Sequence, residues 1–116
     1  MVSIEEALIG WLPEATGLPA YAEPPAERPA EFLTVERVGG PTSATLDMPS
    51  LAIQAWAATR ARAEEIAADA RLMVVGRAAE FIPGLASATA TASYPFPDPD
   101  SRSARYQVSI DLVLTN

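Results

Sequence analysis

The run LAIQAWAATRARAEEIAADARLMVVGRAAE, residues 51–80, decides the fold, because its apolar period changes partway along. Over residues 51–57 the side chains alternate. Leu51, Ile53, Ala55 and Ala57 share one face of a strand, and Ala52, Gln54 and Trp56 share the other. From Thr59 the period becomes helical. Ala63, Ile66, Ala67, Ala70, Met73, Val74 and Arg77 form one mostly apolar stripe. Thr59 is the expected N-cap, its hydroxyl accepting an orphan amide of the first turn. Arg60, Arg62, Glu64, Glu65, Asp69 and Arg71 take the outward positions. A strand therefore hands the chain directly to a long helix that folds back over a sheet.

Upstream, Ser3 with Glu6 three residues on is a capping-box pattern opening a short helix. Ile4, Ala7, Leu8, Trp11 and Leu12 make its apolar stripe, and Pro13 and Gly17 bracket its end. Residues 18–29 are proline-rich, and Pro19 confines any strand there to a sheet edge. EFLTVERV, residues 31–38, reads as a strand with Phe32, Thr34, Glu36 and Val38 on one face and Leu33, Val35 and Arg37 on the other. It should pair antiparallel with residues 51–57 across the long loop 39–49, which opens with Gly39-Gly40-Pro41.

Downstream, residues 85–94 (LASATATASY) alternate. Ala86, Ala88, Ala90 and Ala92 face one way, toward the alanine-rich helix, and Ser87, Thr89, Thr91 and Ser93 the other. Residues 94–103 (YPFPDPDSRS) form an irregular, proline-stiffened loop. The closing run ARYQVSIDLVLT is the cleanest strand. Tyr106, Val108, Ile110, Leu112 and Leu114 lie on its apolar face, and it should be central and pair antiparallel with residues 85–94. The expected fold is α+β: a single domain with one mixed, mainly antiparallel sheet of about four to five strands. An N-terminal helix and one long helix pack the sheet. Leu51, Ile53, Ile66, Val74, Val108, Ile110 and Leu112 are the expected core.

The inventory for chemistry is thin. The 116 residues include no histidine, no cysteine and no lysine, so the commonest general base, thiolate ligation and a Ser–Lys device are absent. The net charge of −7, with eight scattered arginines, disfavours specific nucleic-acid binding. No apolar run approaches the ~20 residues that span a bilayer, and the acidic N-terminal residues do not resemble a secretory signal. Gly39-Gly40-Pro41 lacks the lysine and following helix of a phosphate loop. Asp98 and Asp100 supply too few oxygens for a hard cation. Neither an enzyme nor a cofactor or metal protein is expected. Trp56 points either under a helix or toward a partner. The stiffened loops suit fixed protein–protein contacts. Their interface candidates are Arg37, Gly39, Gly40 and Asp47 around the first loop, Asp98, Asp100, Arg102 and Arg105 around the second, and Trp56.

The order of parts, with the stretches VERVGGP (35–41), QAWA (54–57) and PDPDSRSARY (97–106), resembles the tail terminator, or tail completion, proteins of long-tailed bacteriophages. The resemblance covers nearly the whole chain and includes no catalytic motif. It implies a virion protein made in the host cytoplasm that forms a ring of about six subunits at the head-proximal end of the tail tube. Such a ring ends polymerisation of the major tail tube protein and presents the surface that joins the neck. DNA passes through its lumen without specific binding. A head-closure or head–tail adaptor protein is the nearest alternative. A small ligand-binding α+β domain is the rival from another class.

Overall fold

A hydroxyl cap starts each of the two helices in the structure, a computed structural model that describes residues 3–115. In α1 (Ile4–Thr16), Ser3 Oγ accepts the Glu6 amide at 3.1 Å, and Ile4, Leu8 and Leu12 are buried. The helix does not stop before Pro13 but continues through it to Thr16. Near a C-terminus the missing proline N–H removes a single bond. Gly17, at φ +78°, then closes the end by donating to Pro13 O at 2.9 Å. In α2 (Arg60–Phe81), Thr59 Oγ1 accepts the Arg62 amide at 3.2 Å. Its buried face is Ala63, Ile66, Ala67, Ala70, Val74 and Ala78. Met73 is only half-buried, and Arg77 lies outside the core, its guanidinium 5.6 Å from the Phe81 ring centre.

The mixed sheet has six strands, two of them only two residues long. The edge strand β1 (Ala20–Tyr21) runs parallel to β2 (Phe32–Gly39). Strand β2 pairs antiparallel with β4 (Ser50–Ala57), and β4 with β6 (Ala104–Thr115). Strand β5 (Leu85–Pro95) pairs antiparallel with the far side of β6. The expected loop 39–49 contains a further strand, β3 (Leu46–Asp47), on the end of β6. Because Leu114 pairs with Leu85 on one side and Asp47 on the other, β3 prolongs β4 past Met48 and Pro49.

Both helices lie on one face. Register places Leu33 beside Ala55 and Tyr106, Val35 beside Ile53 and Val108, and Leu51 beside Ile110 and Ala90. These residues form one core cluster with α1 and α2, and every core residue expected from sequence is buried. Strand β5 departs from simple alternation. Register shifts of one residue fall between Leu85 and Ser87 and between Ala90 and Ala92. An extra residue turns everything beyond it to the other face. Ala88 and Ala90 therefore pack on the core as expected, whereas Ala92 pairs with Ser109 on the helix-free face and Ala86 is exposed.

The two sheet edges differ. On β2, the Leu33 amide donates to Pro19 O at 2.9 Å, β1 covers the next positions, and the Arg37 amide donates to Glu5 Oε2 at 3.2 Å. That edge is closed by the chain itself. Strand β5 has a neighbouring strand on one side only, among the described residues.

Candidate functional site

The sequence-derived interface residues gather into two clusters, one at each end of the sheet. Strand β2 is eight residues long, so its ends are separated by about 23 Å.

The first cluster is built on Arg37. Its guanidinium donates to both Asp47 carboxylate oxygens at 2.9 Å, from Nε to Gly39 O at 3.1 Å and from Nη2 to Gly40 O at 3.0 Å. A planar fork of donors suits this bidentate grip. The returning strand is fastened further by Met48 N to Pro41 O at 2.9 Å and by a Thr42–Asp47 bridge. Arg37 and Asp47 thus hold each other and shape the loop. Gly40 sits at φ +102°, with the backbone of Met48, Pro49 and Ser50 against it; a Cβ would lie 2.8 Å from Ser50 N. Gly40→Ala should cost about 1–3 kcal/mol, read as a lower denaturant midpoint, because both the dihedral and the contact oppose a side chain.

The Arg37 hydrogen bonds hold the Asp47 carboxyl below its ordinary value of 3.8, against the opposing effect of desolvation. A group depressed in the folded state stabilises above its unfolded pKa and loses that contribution as pH falls through the folded value. Amide NMR shifts around Thr42 and Met48 should therefore titrate with a midpoint below 3.8. In Arg37→Gln the midpoint should move upward. A midpoint that ignores the substitution would contradict the pairing.

The second cluster lies on the helix-free face. Trp56 is 2% exposed, and it is covered there by the chain's own side chains and not by a helix. Its ring stacks on Phe32 with centroids 5.3 Å apart and planes 8° from parallel. Arg28, from the proline-rich stretch before β2, and Arg105, from the start of β6, stand 5.1 and 5.0 Å from its centre. Arg105 also lies 4.3 Å from the Phe96 ring centre and donates from Nε to Phe96 O at 2.6 Å. Tyr21 and Tyr94 extend the row edge-on at its two ends. Cations over desolvated aromatic faces are attracted by the ring quadrupole.

Arg28 also ties the two proline-rich segments together, 3.7 Å from the Asp98 carboxylate and 3.4 Å from Ser101 Oγ. Asp98 accepts the Asp100 amide at 3.2 Å. Its carboxyl is held below the ordinary range by the Ser101 hydroxyl first, then by that amide and the nearby arginines. The Asp100 carboxylate and the Arg102 guanidinium are exposed and make no ion pair or side-chain hydrogen bond among the described residues.

Beside the aromatic row runs a polar one. Trp56 Nε1 donates to Thr34 Oγ1 at 3.1 Å, Thr34 to Gln54 Oε1 at 3.2 Å, Gln54 to Gln107 Oε1 at 2.9 Å, and Gln107 to the Tyr94 hydroxyl at 2.7 Å. Sequence pairing of Phe32 with Thr34 and of Trp56 with Gln54 marked this face. Nothing in PPAERP marked Arg28 as its cover.

The surface clefts are open. One of about 480 Å³ is lined by Leu18, Pro29, Ala30, Ala58, Thr59 and the Glu31–Arg62 pair, already joined at 2.7 Å. Among the described residues, no group of three or more acidic side chains is placed to hold a metal ion. Among the described residues, no helix is long and apolar enough to cross a membrane. The chain matches no protein-family model and no curated protein.

Proposed function

We propose that the protein is a phage tail terminator, a virion structural protein rather than an enzyme. It forms a ring of about six subunits at the head-proximal end of the tail tube, stops tube growth and offers the surface that joins the neck. The observation that carries this reading is the pair of unlike clusters at opposite ends of one rigid sheet. One is a glycine loop clamped by Arg37 and Asp47. The other is a proline-stiffened loop that keeps Asp100 and Arg102 exposed. A subunit that touches both the tube and the neck needs two such surfaces, and head-to-tail closure of a ring needs unlike patches. The order of parts along the sequence supports the same assignment.

Reconstitution with a purified tail tube protein tests it. Added chain should arrest tube growth, and electron microscopy should find it at one tube end. Tubes that grow without limit in its presence would refute the assignment. Arg102→Glu reverses an exposed charge with no partner within the described chain, so stability should change by less than about 0.5 kcal/mol. Tail joining should nevertheless fall. Shortening the first loop is a fair test only if Leu46 and Asp47 remain, because they belong to the sheet and hold Arg37.

A further inference from the structure

The stretch between β1 and β2, residues 22–31 (AEPPAERPAE), passes over Trp56 without belonging to the core. None of its residues is buried, and none joins the core cluster. Among the described residues, no backbone hydrogen bond holds residues 23–30. Pro24, Pro25 and Pro29 have no N–H to donate and fix their own φ, so the stretch is stiff without being tied down.

Its two ends are fastened. Before it, β1 pairs with β2, and the Leu33 amide donates to Pro19 O at 2.9 Å. After it, Arg62 donates to both Glu31 carboxylate oxygens, at 2.7 and 3.1 Å. Between these anchors the polar contacts come from one side chain. Arg28 stands 5.1 Å from the Trp56 ring centre, 3.7 Å from the Asp98 carboxylate and 3.4 Å from Ser101 Oγ. The last two distances are long for a guanidinium, and its side chain is 36% exposed. An exposed ion pair of this kind is weak and is screened by salt. There is also room to move. The open cleft of about 480 Å³ is lined by Pro29 and Ala30 together with Leu18, Ala58 and Thr59.

The contacts beneath the stretch do not depend on it. Trp56 stacks on Phe32 and gives its N–H to Thr34, and Arg105 is held by Phe96 O. Lifting residues 22–31 leaves all three contacts whole.

We propose that residues 22–31 form a hinged strap, latched by Arg28 on Asp98, that lifts from the Trp56 ring as one piece while the sheet stays folded. Segments that open locally are those with few buried contacts and few hydrogen bonds. The strap turns about its fastened ends and bares the ring, and ionic strength sets its closed fraction. It is independent of the terminator reading, since it operates in the isolated chain.

The test uses the full chain with Trp11→Phe, which leaves Trp56 as the single tryptophan. Between about 0.01 and 1 M sodium chloride the screening length falls roughly tenfold. Over that range the quenching of Trp56 by acrylamide, a neutral probe, should rise about twofold or more. Asp98→Asn retains Arg28 and an acceptor oxygen for the Asp100 amide, but removes the ion pair. It should give the high value at every salt concentration, with the urea midpoint unchanged. The chain has no cysteine, so spin labels can be placed on Ala26→Cys in the strap and Glu36→Cys on β2, both exposed positions. The labels should move apart under the same conditions. Quenching that ignores both salt and Asp98→Asn overturns the proposal. Quenching that rises while the labels keep their separation also overturns it, because the Arg28 side chain alone would then be moving. A rise that comes only with a lower urea midpoint overturns it too, because the stretch would then unfold with the core.

Discussion

Trp56→Ala should lower the unfolding free energy by about 3–5 kcal/mol, the range for emptying a buried large aromatic site. The ring is 2% exposed and stacks on Phe32, with Arg28 and Arg105 against it. Its loss leaves a cavity that those neighbours cannot fill without giving up their own contacts. Trp56→Phe separates the terms, since it keeps most of the stack and deletes the 3.1 Å bond to Thr34. That variant should lose only about 1–2 kcal/mol. Urea titration reads both. Equal losses in the two variants would show that the hydrogen bond, and not the stacking, dominates.

Ile110→Ala should cost about 2–5 kcal/mol. Ile110 is fully buried at the centre of β6, paired with Leu51 on one side and Ala90 on the other, under α2. The alanines around it are already small, so no neighbouring side chain can collapse into the space. A substitution on the other face of the same strand gives the contrast. Asp111→Asn, which keeps an acceptor for the 2.9 Å bond from Ser50, should change stability by less than about 0.5 kcal/mol. A denaturant midpoint unmoved by Ile110→Ala would contradict the packing.

Local chemistry made much of this fold legible. Ser3 and Thr59 cap their helices as their side chains dictate, and the period change near Thr59 marks the passage from β4 into α2. Alternation placed Leu51, Ile53, Val108, Ile110 and Leu112 on the core face. What failed was set by backbone pairing. The bulges of β5 change the facing of Ala92 without any change of residue type, since alanine, serine and threonine are tolerated on either face. Strand β3 is two residues in a loop, too short for a period. The end of α1 falls at Thr16, inside the Pro13–Gly17 bracket, because a helix can lose one bond in its last turns. For the candidate site, Arg37 and Asp47 were found as loop neighbours, but their mutual grip required the structure. Arg28 was missed, because a lone arginine in a proline run carries no signal of where the run folds.

The row of hydrogen bonds from Trp56 to Tyr94 has a direction that one atom imposes. An indole nitrogen can give a proton but cannot accept one. Thr34 must therefore receive from Trp56 and spend its own hydrogen on Gln54, which fixes the sense of each amide beyond it. At the far end Gln107 occupies a lone pair of the Tyr94 oxygen, and the phenolic hydrogen is turned outward. Tyr94, 39% exposed, thus meets its surroundings as a proton giver with a set orientation. The polarity of a surface tyrosine is written by a tryptophan two strands away.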